Sequence, residues 1–421
     1  LRTNTHSVYT DCPSREKVPW LGQWSQEPLS QSFDMGKFFL KWKDDMMAAQ
    51  DSNGRIADKV PGKIHYGWNG TDPVWVSEVI LGAYDIYLAY GDKQALEEIY
   101  PTLERLIGYY KSLADAEYII RSNKWGDHIG LDKPDPAFLS TAYFYQMVKV
   151  MEKITGVLDR EQERKMYLSL SAKIKGGINA NFFHDDTYDN NSQGANAVAL
   201  HFGLVPGEKR SVVLNALEKS IIDRDFHVTT GGATTYNLMN VLWMFDKTEL
   251  AYKIASRKTF PSWGFWVENG ASTSWEQWNI RNTSRNHGWL GSYLGVWMIK
   301  ALGGISALEP GYRKIKIMPG IIEGLNYASC SIETMSGPVM CTWTRISGNR
   351  LTIEVTIPSN TTARIYIPSS KASSISEGVA AIWSSGKATK GKEIIRLVET
   401  RERHTVWDIG SGKYDFVISG I

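Results

Sequence analysis

The sequence predicts a mainly α chain of helical hairpins that ends in an antiparallel β-domain. Three observations carry this. From about residue 28 to 305, apolar residues recur at three- and four-residue steps between polar, Gly- and aromatic-rich loops. After about residue 310 the pattern changes to apolar/polar alternation broken by Gly, Pro, Asn and Ser. A chain of 421 residues is too long for one ordinary core, so a large and a small domain are expected.

The elements follow in order. Gly91-Asp92 gives a turn and a cap ahead of "KQALEEIYPTLERLIGYYKSLA", which puts Leu96, Ile99, Leu103, Leu106, Ile107 and Tyr110 on one stripe. "TAYFYQMVKVMEKITG" is a second helix, with Gly156 expected as its C-terminal glycine. "DREQERKMYLSLSAKIKGGINANFF" is a third, and "SYLGVWMIKALGGI" closes the region. Six hairpins closed into a toroid fit the length, and periodicity leaves a solenoid equally open. "YRKIKIMPG", "ASCSIETMSGPVMCTWTRISGNRLTIEVTIPSNTTARIYIP" and "YDFVISG" read as strands of a sandwich, with hairpin turns at "TMSGPVM" and Gly348-Asn349. The expected role of this β-domain is to support the helical one.

Composition excludes several classes. Lys+Arg 47 against Asp+Glu 45 gives a net charge of +2 with no basic tract, so nucleic acid is not an expected partner. No apolar run reaches the roughly 20 residues that span a bilayer, so no membrane is expected. Leu1-Arg2 is neither an initiator Met nor a signal peptide. A processed or trimmed product with upstream domains missing is the corresponding expectation, and a secreted or periplasmic location is expected over a cytoplasmic one. Cys12, Cys330 and Cys341 make no disulfide scaffold; Cys330 and Cys341 flank a hairpin and could pair, with two small apolar strand residues as the plain reading. Sequons at Asn69, Asn190, Asn282 and Asn360 do not by themselves show glycosylation. Many of the 16 Trp sit beside Gly, Asp, Asn or Glu, as in "YGWNGTDPVW" and "TSWEQWN". Aromatic faces among polar side chains suit a carbohydrate pocket.

Two carboxylates stand in such company. Glu16 follows Arg15 in "TDCPSREKVPWLGQW", and Glu276 lies between Trp275 and Trp278. A glycosidase needs one carboxylic acid to protonate the leaving oxygen and one carboxylate to activate water or attack carbon. An aromatic wall would raise one carboxyl pKa, and an Arg neighbour would lower the other. Asp11, Asp72, Asp127, His128, His227 and His287 are further candidates; the plain reading of Asp127 is a cap for the next helix, that of His287 a partner for a buried backbone carbonyl, and that of each lone histidine a structural role. No phosphate loop, HExxH, CxxC or GxSxG is present. "HDDTYDNN" lacks EF-hand spacing and reads as a polar connection. No metal and no cofactor are expected.

The first motif resembles the Asp-Cys-Pro-x-Arg-(Asp)-Glu-(Arg/Lys) signature of the bacterial α-L-rhamnosidases of glycoside hydrolase family 78. "PVWVSEVILGAYDIYLAYGD", "KWGDHIG", "FHVTTGGATT", "GASTSWEQW…SRNHGWLGSYLGVWM" and "PGYRKIKIMPG" resemble further segments of that family, in family order. The resemblance implies an (α/α)6 toroid at 1–308 followed by a C-terminal β-sandwich at 309–421. It implies an inverting hydrolase that removes terminal L-rhamnose from an oligosaccharide or glycoside, with N-terminal β-domains expected ahead of the sequence given. Glu16 would be the general acid and Glu276 the general base, with carboxyls roughly 6.5–9.5 Å apart. Asp11, Arg15, Asp127, Trp275 and His287 would line the sugar pocket, and Trp20, Trp75 and His128 complete the candidate set.

The sequence departs from the family at three places. Gln23 stands where the first motif ends in Asp, Val76-Ser77 where a Gly-Asp is usual, and His128 where Trp is frequent. Fewer carboxylates would suit a related lyase branch, polysaccharide lyase family 27, which removes rhamnose from glucuronate by β-elimination. Lys17, Arg15, His65, Tyr66 or His128 would then serve the uronate. A third reading, a non-catalytic rhamnose-binding protein, fits poorly with retention of both glutamates.

Overall fold

The computed structural model describes residues 1–24, 26–62, 70–122, 124–281, 283–346, 349–369, 372–384, 386–389 and 394–420. The chain divides into two compact units. One takes in Leu1–Gln26, Met35–Asp85 and Asp92–Leu294; the other takes in Glu27–Asp34, Ile86–Gly91 and Gly295–Ile421. The division expected after residue 308 falls inside the second unit.

The first unit is helical. Asp92 accepts the Ala95 N–H and starts helix Lys93–Leu113, whose expected stripe is buried from Leu96 to Tyr110. Asp135 caps Pro136–Val157 through the N–H groups of Ala137 and Phe138, with Pro136 in the first turn. This helix is buried on nearly all sides and packs on both Lys93–Leu113 and Glu161–Phe182. Each fully buried Leu or Phe on it contributes about 1.5–3 kcal/mol. Gly156 does not end the helix as expected. The left-handed residue is Asp159 (φ 58), and Arg160 N–H closes the turn on the Thr155 carbonyl. Asp tolerates that conformation through its short polar side chain. Shorter helices Gln193–His201, Arg210–Asp223, Thr235–Met244 and Thr248–Ser256 continue the hairpin pattern. Among the described residues, no helix is long and apolar enough to cross a membrane.

In the second unit a seven-stranded sheet runs Lys387–Ala388, Ala380–Ser384, Ser374–Glu377, Gly412–Ser419, Arg350–Ile357, Gly337–Ile346, Tyr327–Thr334. All its pairs are antiparallel. A five-stranded sheet runs Ile395–Thr400, His404–Ile409, Thr362–Pro368, Lys314–Ile317, Ile305–Ala307. Here the antiparallel expectation needs one correction: Lys314–Ile317 pairs in parallel with Thr362–Pro368. The long excursion through three strands of the other sheet makes this possible, since a parallel pair needs a crossover. Residues from both sheets, including Trp343, Ile353, Phe416, Ile365 and Trp407, form one buried cluster. The "TMSGPVM" hairpin forms with Thr334 opposite Gly337, and Cys330 lies opposite Cys341, both free thiols. Gly348 lies outside the described residues, although Ile346 pairs with Arg350 across that turn.

Candidate active site

The opening motif is a loop wound around one carbonyl. Arg15 N–H and Lys17 N–H both donate to the Cys12 oxygen, at 3.0 Å each, and Lys17 takes φ 58 to reverse the chain. Asp11 N–H meets the Val18 carbonyl, and Val18 N–H returns to Asp11 Oδ1 at 3.1 Å. Cys12 is thereby buried while Arg15 and Glu16 project outward. Beyond the loop, Leu21 N–H binds the Asp58 carbonyl, and Gly22 (φ 81) lies against the Trp75 indole, where a Cβ would come within 2.8 Å.

The second glutamate sits in a loop closed on itself. Glu276 N–H donates to the Ser284 carbonyl, and Ser284 N–H donates to Glu276 Oε2 at 3.0 Å. Trp289 Nε1 donates to the Glu276 carbonyl at 3.0 Å. The carboxylate is thus fixed on one oxygen and presents the other, Oε1, to Arg15.

The two segments meet at one guanidinium nitrogen. Arg15 Nη2 lies 3.0 Å from Glu16 Oε1 and 2.8 Å from Glu276 Oε1. Those oxygens can therefore be no farther apart than the sum, about 5.8 Å, which falls short of the roughly 6.5–9.5 Å expected of an inverting pair. The closer spacing has a physical cause: one cation holds both anions. Both glutamates line a cavity of about 520 Å³ with Asp11, Trp20, Trp75, His128 and His287. Gln23, Lys59, Trp125 and Trp289 line it as well.

Buried carboxylates hold the walls from behind. Asp72 caps Pro73–Val76 through Val74 N–H and Trp75 N–H, while its other oxygen accepts Lys124 N–H and Trp125 N–H. One anion therefore sets both Trp75 and Trp125. Asp58 accepts the Asp72 N–H and the Trp125 indole N–H. Glu78 accepts Gln23 N–H at 2.8 Å and the Gln26 amide at 2.6 Å. Burial pushes the carboxyls of Asp58, Asp72 and Glu78 upward against these donors.

Inside the cavity the charges are unequal. Burial pushes Asp11 up to about 6. It also pushes Glu16 upward, but the Trp20 indole, Asp11, Arg15 and Lys59 outweigh it and hold Glu16 below the usual carboxylate range. The His287 imidazole is driven down to about 3 by burial, then by His128 and Arg15, and stays neutral across the working range. His128 is lowered as well, chiefly by burial. Asp11, Cys12 and His287 bring donor atoms within 4.8 Å of one another. That set could not be foreseen from spacing along the chain.

Several expectations need correction. Asp127 is fully buried and does not line this cavity: its carboxylate accepts Gly231, Ala233 and Thr234 N–H and the Thr234 hydroxyl. It builds the "TTGGATT" turn, where Gly232 lies against Trp289 too closely for any Cβ. Trp275 is 1% exposed and faces Trp266 at 6.1 Å, with Arg285 over it at 5.2 Å. It is a core residue, while Glu276 next to it takes the cavity side. Trp125 and Trp289 are the tryptophans that sequence reasoning left out. Asp72 is a helix cap, and His227 binds the Arg224 carbonyl and Thr259. Asp186 pairs with Lys209 and Asp189 accepts Asp135 N–H, so the acidic loop is a polar connection. Lys17 is exposed and outside the cavity lining; His65 and Tyr66 lie outside the described residues.

Known proteins resemble this chain in sequence and in fold. Residues 1–302 match the bacterial alpha-L-rhamnosidase 6 hairpin glycosidase domain, and residues 304–380 match the bacterial alpha-L-rhamnosidase C-terminal domain. The structure of an α-L-rhamnosidase from Dictyoglumus thermophilum is 32% identical, with a TM-score of 0.91 over 99% of this chain and 47% of that one. An α-L-rhamnosidase from Streptomyces avermitilis, solved in complex with L-rhamnose, is 26% identical, with a TM-score of 0.90 over 99% of this chain and 40% of that one. An α-L-rhamnosidase from Formosa agariphila is 28% identical across 99% of this chain and 46% of its own length. The chain thus spans less than half the length of these relatives. With a helical unit matched over residues 1–302 and both glutamates on one cavity, the chain belongs to the bacterial α-L-rhamnosidase six-hairpin glycosidase family.

Proposed function

We propose that this chain carries the catalytic portion of an α-L-rhamnosidase that releases terminal L-rhamnose by inverting hydrolysis. The observation that carries the reading is the joining of Glu16 and Glu276 across one cavity by a single Arg15 nitrogen. Glu16 sits half-exposed at the mouth, where a leaving group departs, and donates the proton to the glycosidic oxygen. Glu276, fixed by Ser284 N–H, takes a proton from the water that attacks C1 from the opposite face. Substrate entry draws Arg15 toward the sugar hydroxyls and opens the gap that the attacking water needs. Trp75 and Trp289 offer aromatic faces to the C–H side of the ring and its methyl group. Neutral His287 and the carboxyl of Asp11 offer hydrogen bonds to its hydroxyls.

The test is release of rhamnose from an aryl α-L-rhamnoside, with the first-formed anomer followed by NMR. Inversion predicts that the β-anomer appears first. An inert aryl rhamnoside, together with new near-ultraviolet absorbance on a rhamnosyl-glucuronate, would replace hydrolysis by elimination.

A further inference from the structure

We propose that Asp11, Cys12 and His287 form a site for a soft divalent cation of the zinc class in the wall of the cavity, and that the bound ion excludes rhamnose as a reversible inhibitor. This goes beyond the hydrolase reading, and its binding half stands without that reading. The three side chains offer one oxygen, one sulfur and one ring nitrogen, all within 4.8 Å of one another. Their exposures are 3%, 0% and 5%, so little water competes for these donors. Two separately braced loops supply them. Asp11 N–H meets the Val18 carbonyl while Val18 N–H returns to Oδ1, and His287 N–H donates to the Ser274 carbonyl at 3.0 Å.

The donor set selects the ion. A thiolate, an imidazole and a carboxylate suit zinc, cadmium or cobalt, whereas magnesium and calcium prefer oxygen ligands throughout. Four-coordinate zinc spaces its ligand atoms roughly 3.3–3.5 Å apart, so side-chain rotation has to close each pair by about 1.5 Å or less. His287 has a ring nitrogen to give. Its Nδ1 receives the Trp289 N–H at the long distance of 3.5 Å, and its ring makes no other hydrogen bond among the described residues. As the sulfur–metal bond forms, the Cys12 proton passes to solvent and the sulfur donates the electron pair left behind. The ion sheds three waters for three protein ligands, and nothing is oxidised or reduced. Thiolate and carboxylate together cancel the two charges of the ion. The filled site is therefore neutral, which is what the Arg15 Nη2, 3.5 Å from Cys12 Sγ, requires of a neighbour.

Position makes the ion an inhibitor. Asp11 and His287 line the cavity and Cys12 does not, so an ion on all three turns its fourth position toward the cavity. It occupies the two groups that offer hydrogen bonds to the sugar hydroxyls. The two glutamates stay with Arg15 and keep their geometry. A molecule that loses the ion is therefore fully active. Ion and rhamnose compete for one place, which raises KM and leaves kcat unchanged.

The test reads binding and inhibition separately. Cobalt(II) is titrated into wild type, Cys12→Ser, His287→Gln and the double variant Cys330→Ser/Cys341→Ser, with melting temperatures as the folding control. Wild type and the double variant are expected to show a thiolate-to-cobalt charge-transfer band that zinc or L-rhamnose displaces. Cys12→Ser should lack the band, and His287→Gln should weaken cobalt binding by about tenfold or more. Zinc is then added to assays on an aryl α-L-rhamnoside. It should raise KM at constant kcat, a chelator should reverse the effect, and magnesium and calcium should do nothing. Cys12→Ser should keep its turnover and become less sensitive to zinc by about tenfold or more. Absence of the band from wild type, or its persistence in Cys12→Ser, overturns the site; should Cys12→Ser fail to fold, unweakened cobalt binding in His287→Gln does so. Zinc inhibition that lowers kcat alone, or that is equal in Cys12→Ser, overturns the inhibitory role. An inert aryl rhamnoside in metal-free buffer would count against the hydrolase reading, and the cobalt band would still decide the site.

Discussion

Replacing Glu276 by Gln separates chemistry from structure, because the surroundings of this side chain define what each role is worth. The side chain is only 8% exposed, with Oε2 on the Ser284 N–H and Oε1 on Arg15. A glutamine keeps the carbonyl for Ser284 and turns its amide toward Arg15. One charge-assisted bond is lost, worth about 1.5–3 kcal/mol where both partners are dry. Arg15 is 43% exposed and still holds Glu16, so water and Glu16 take up most of that loss, leaving about 1 kcal/mol. The melting temperature should fall by roughly 2–4 °C. The catalytic loss is far larger: a general base contributes about 10²–10⁴ in rate, or about 3–5 kcal/mol. Stopped assays on an aryl rhamnoside should therefore show kcat reduced by at least about a hundredfold. Tryptophan fluorescence should still report rhamnose binding, since the base acts in the transition state. Turnover within a few-fold of wild type would remove Glu276 from the mechanism. Loss of binding with a collapsed melting temperature would make it a structural residue.

Three further outcomes are expected. Asp127→Asn places an amide NH2 among three backbone N–H groups and a hydroxyl, so it should cost about 1–3 kcal/mol of stability, seen as a lower melting temperature; a raised KM with unchanged stability would return Asp127 to the sugar. His287, lowered to about 3, contributes stability that is present above its unfolded pKa near 6.5 and lost as pH falls through that window toward 3. His287→Gln should therefore flatten the acid side of the stability curve, and an unchanged curve would mean the imidazole is not buried neutral. Turnover is expected to survive a chelator; loss of activity restored by one divalent cation would put a metal on Asp11, Cys12 and His287.

What the sequence disclosed and what it hid follow from range. Helix Lys93–Leu113 was legible because its cap and its stripe are encoded within one segment. The two glutamate loops were legible because each carries an unbroken local motif. Hidden were interactions whose partners are far apart in the chain, such as Arg15 with Glu276 across 261 positions and Asp127 with the turn at 231–234. Arg15 reads as the neighbour of Glu16, and only the fold reveals that its shorter bond goes to the other glutamate. Trp275 was misplaced for the same reason: adjacency to a glutamate says nothing about which side of an irregular loop an indole takes.

The departures at Ser77 and Gln23 carry different weight once the walls are known. Ser77 is fully buried, and its hydroxyl donates to the Val74 carbonyl at 2.6 Å, away from any lining role. The next residue, Glu78, supplies a buried carboxylate, and its oxygens are taken by Gln23 N–H and the Gln26 amide. A second anion at position 77 would stand beside Glu78 and add a like-charge penalty. Its absence therefore does not strip the cavity of a carboxylate that a sugar could use. Gln23 is different, because its side chain lines the cavity itself. The loss of acidity there leaves Asp11, Glu16 and Glu276 as the lining carboxylates among the described residues, against Lys59 in the lining and Arg15 between the glutamates. That balance is less negative than an aspartate at position 23 would give, because Gln23 leaves a neutral amide where a fourth carboxylate would stand.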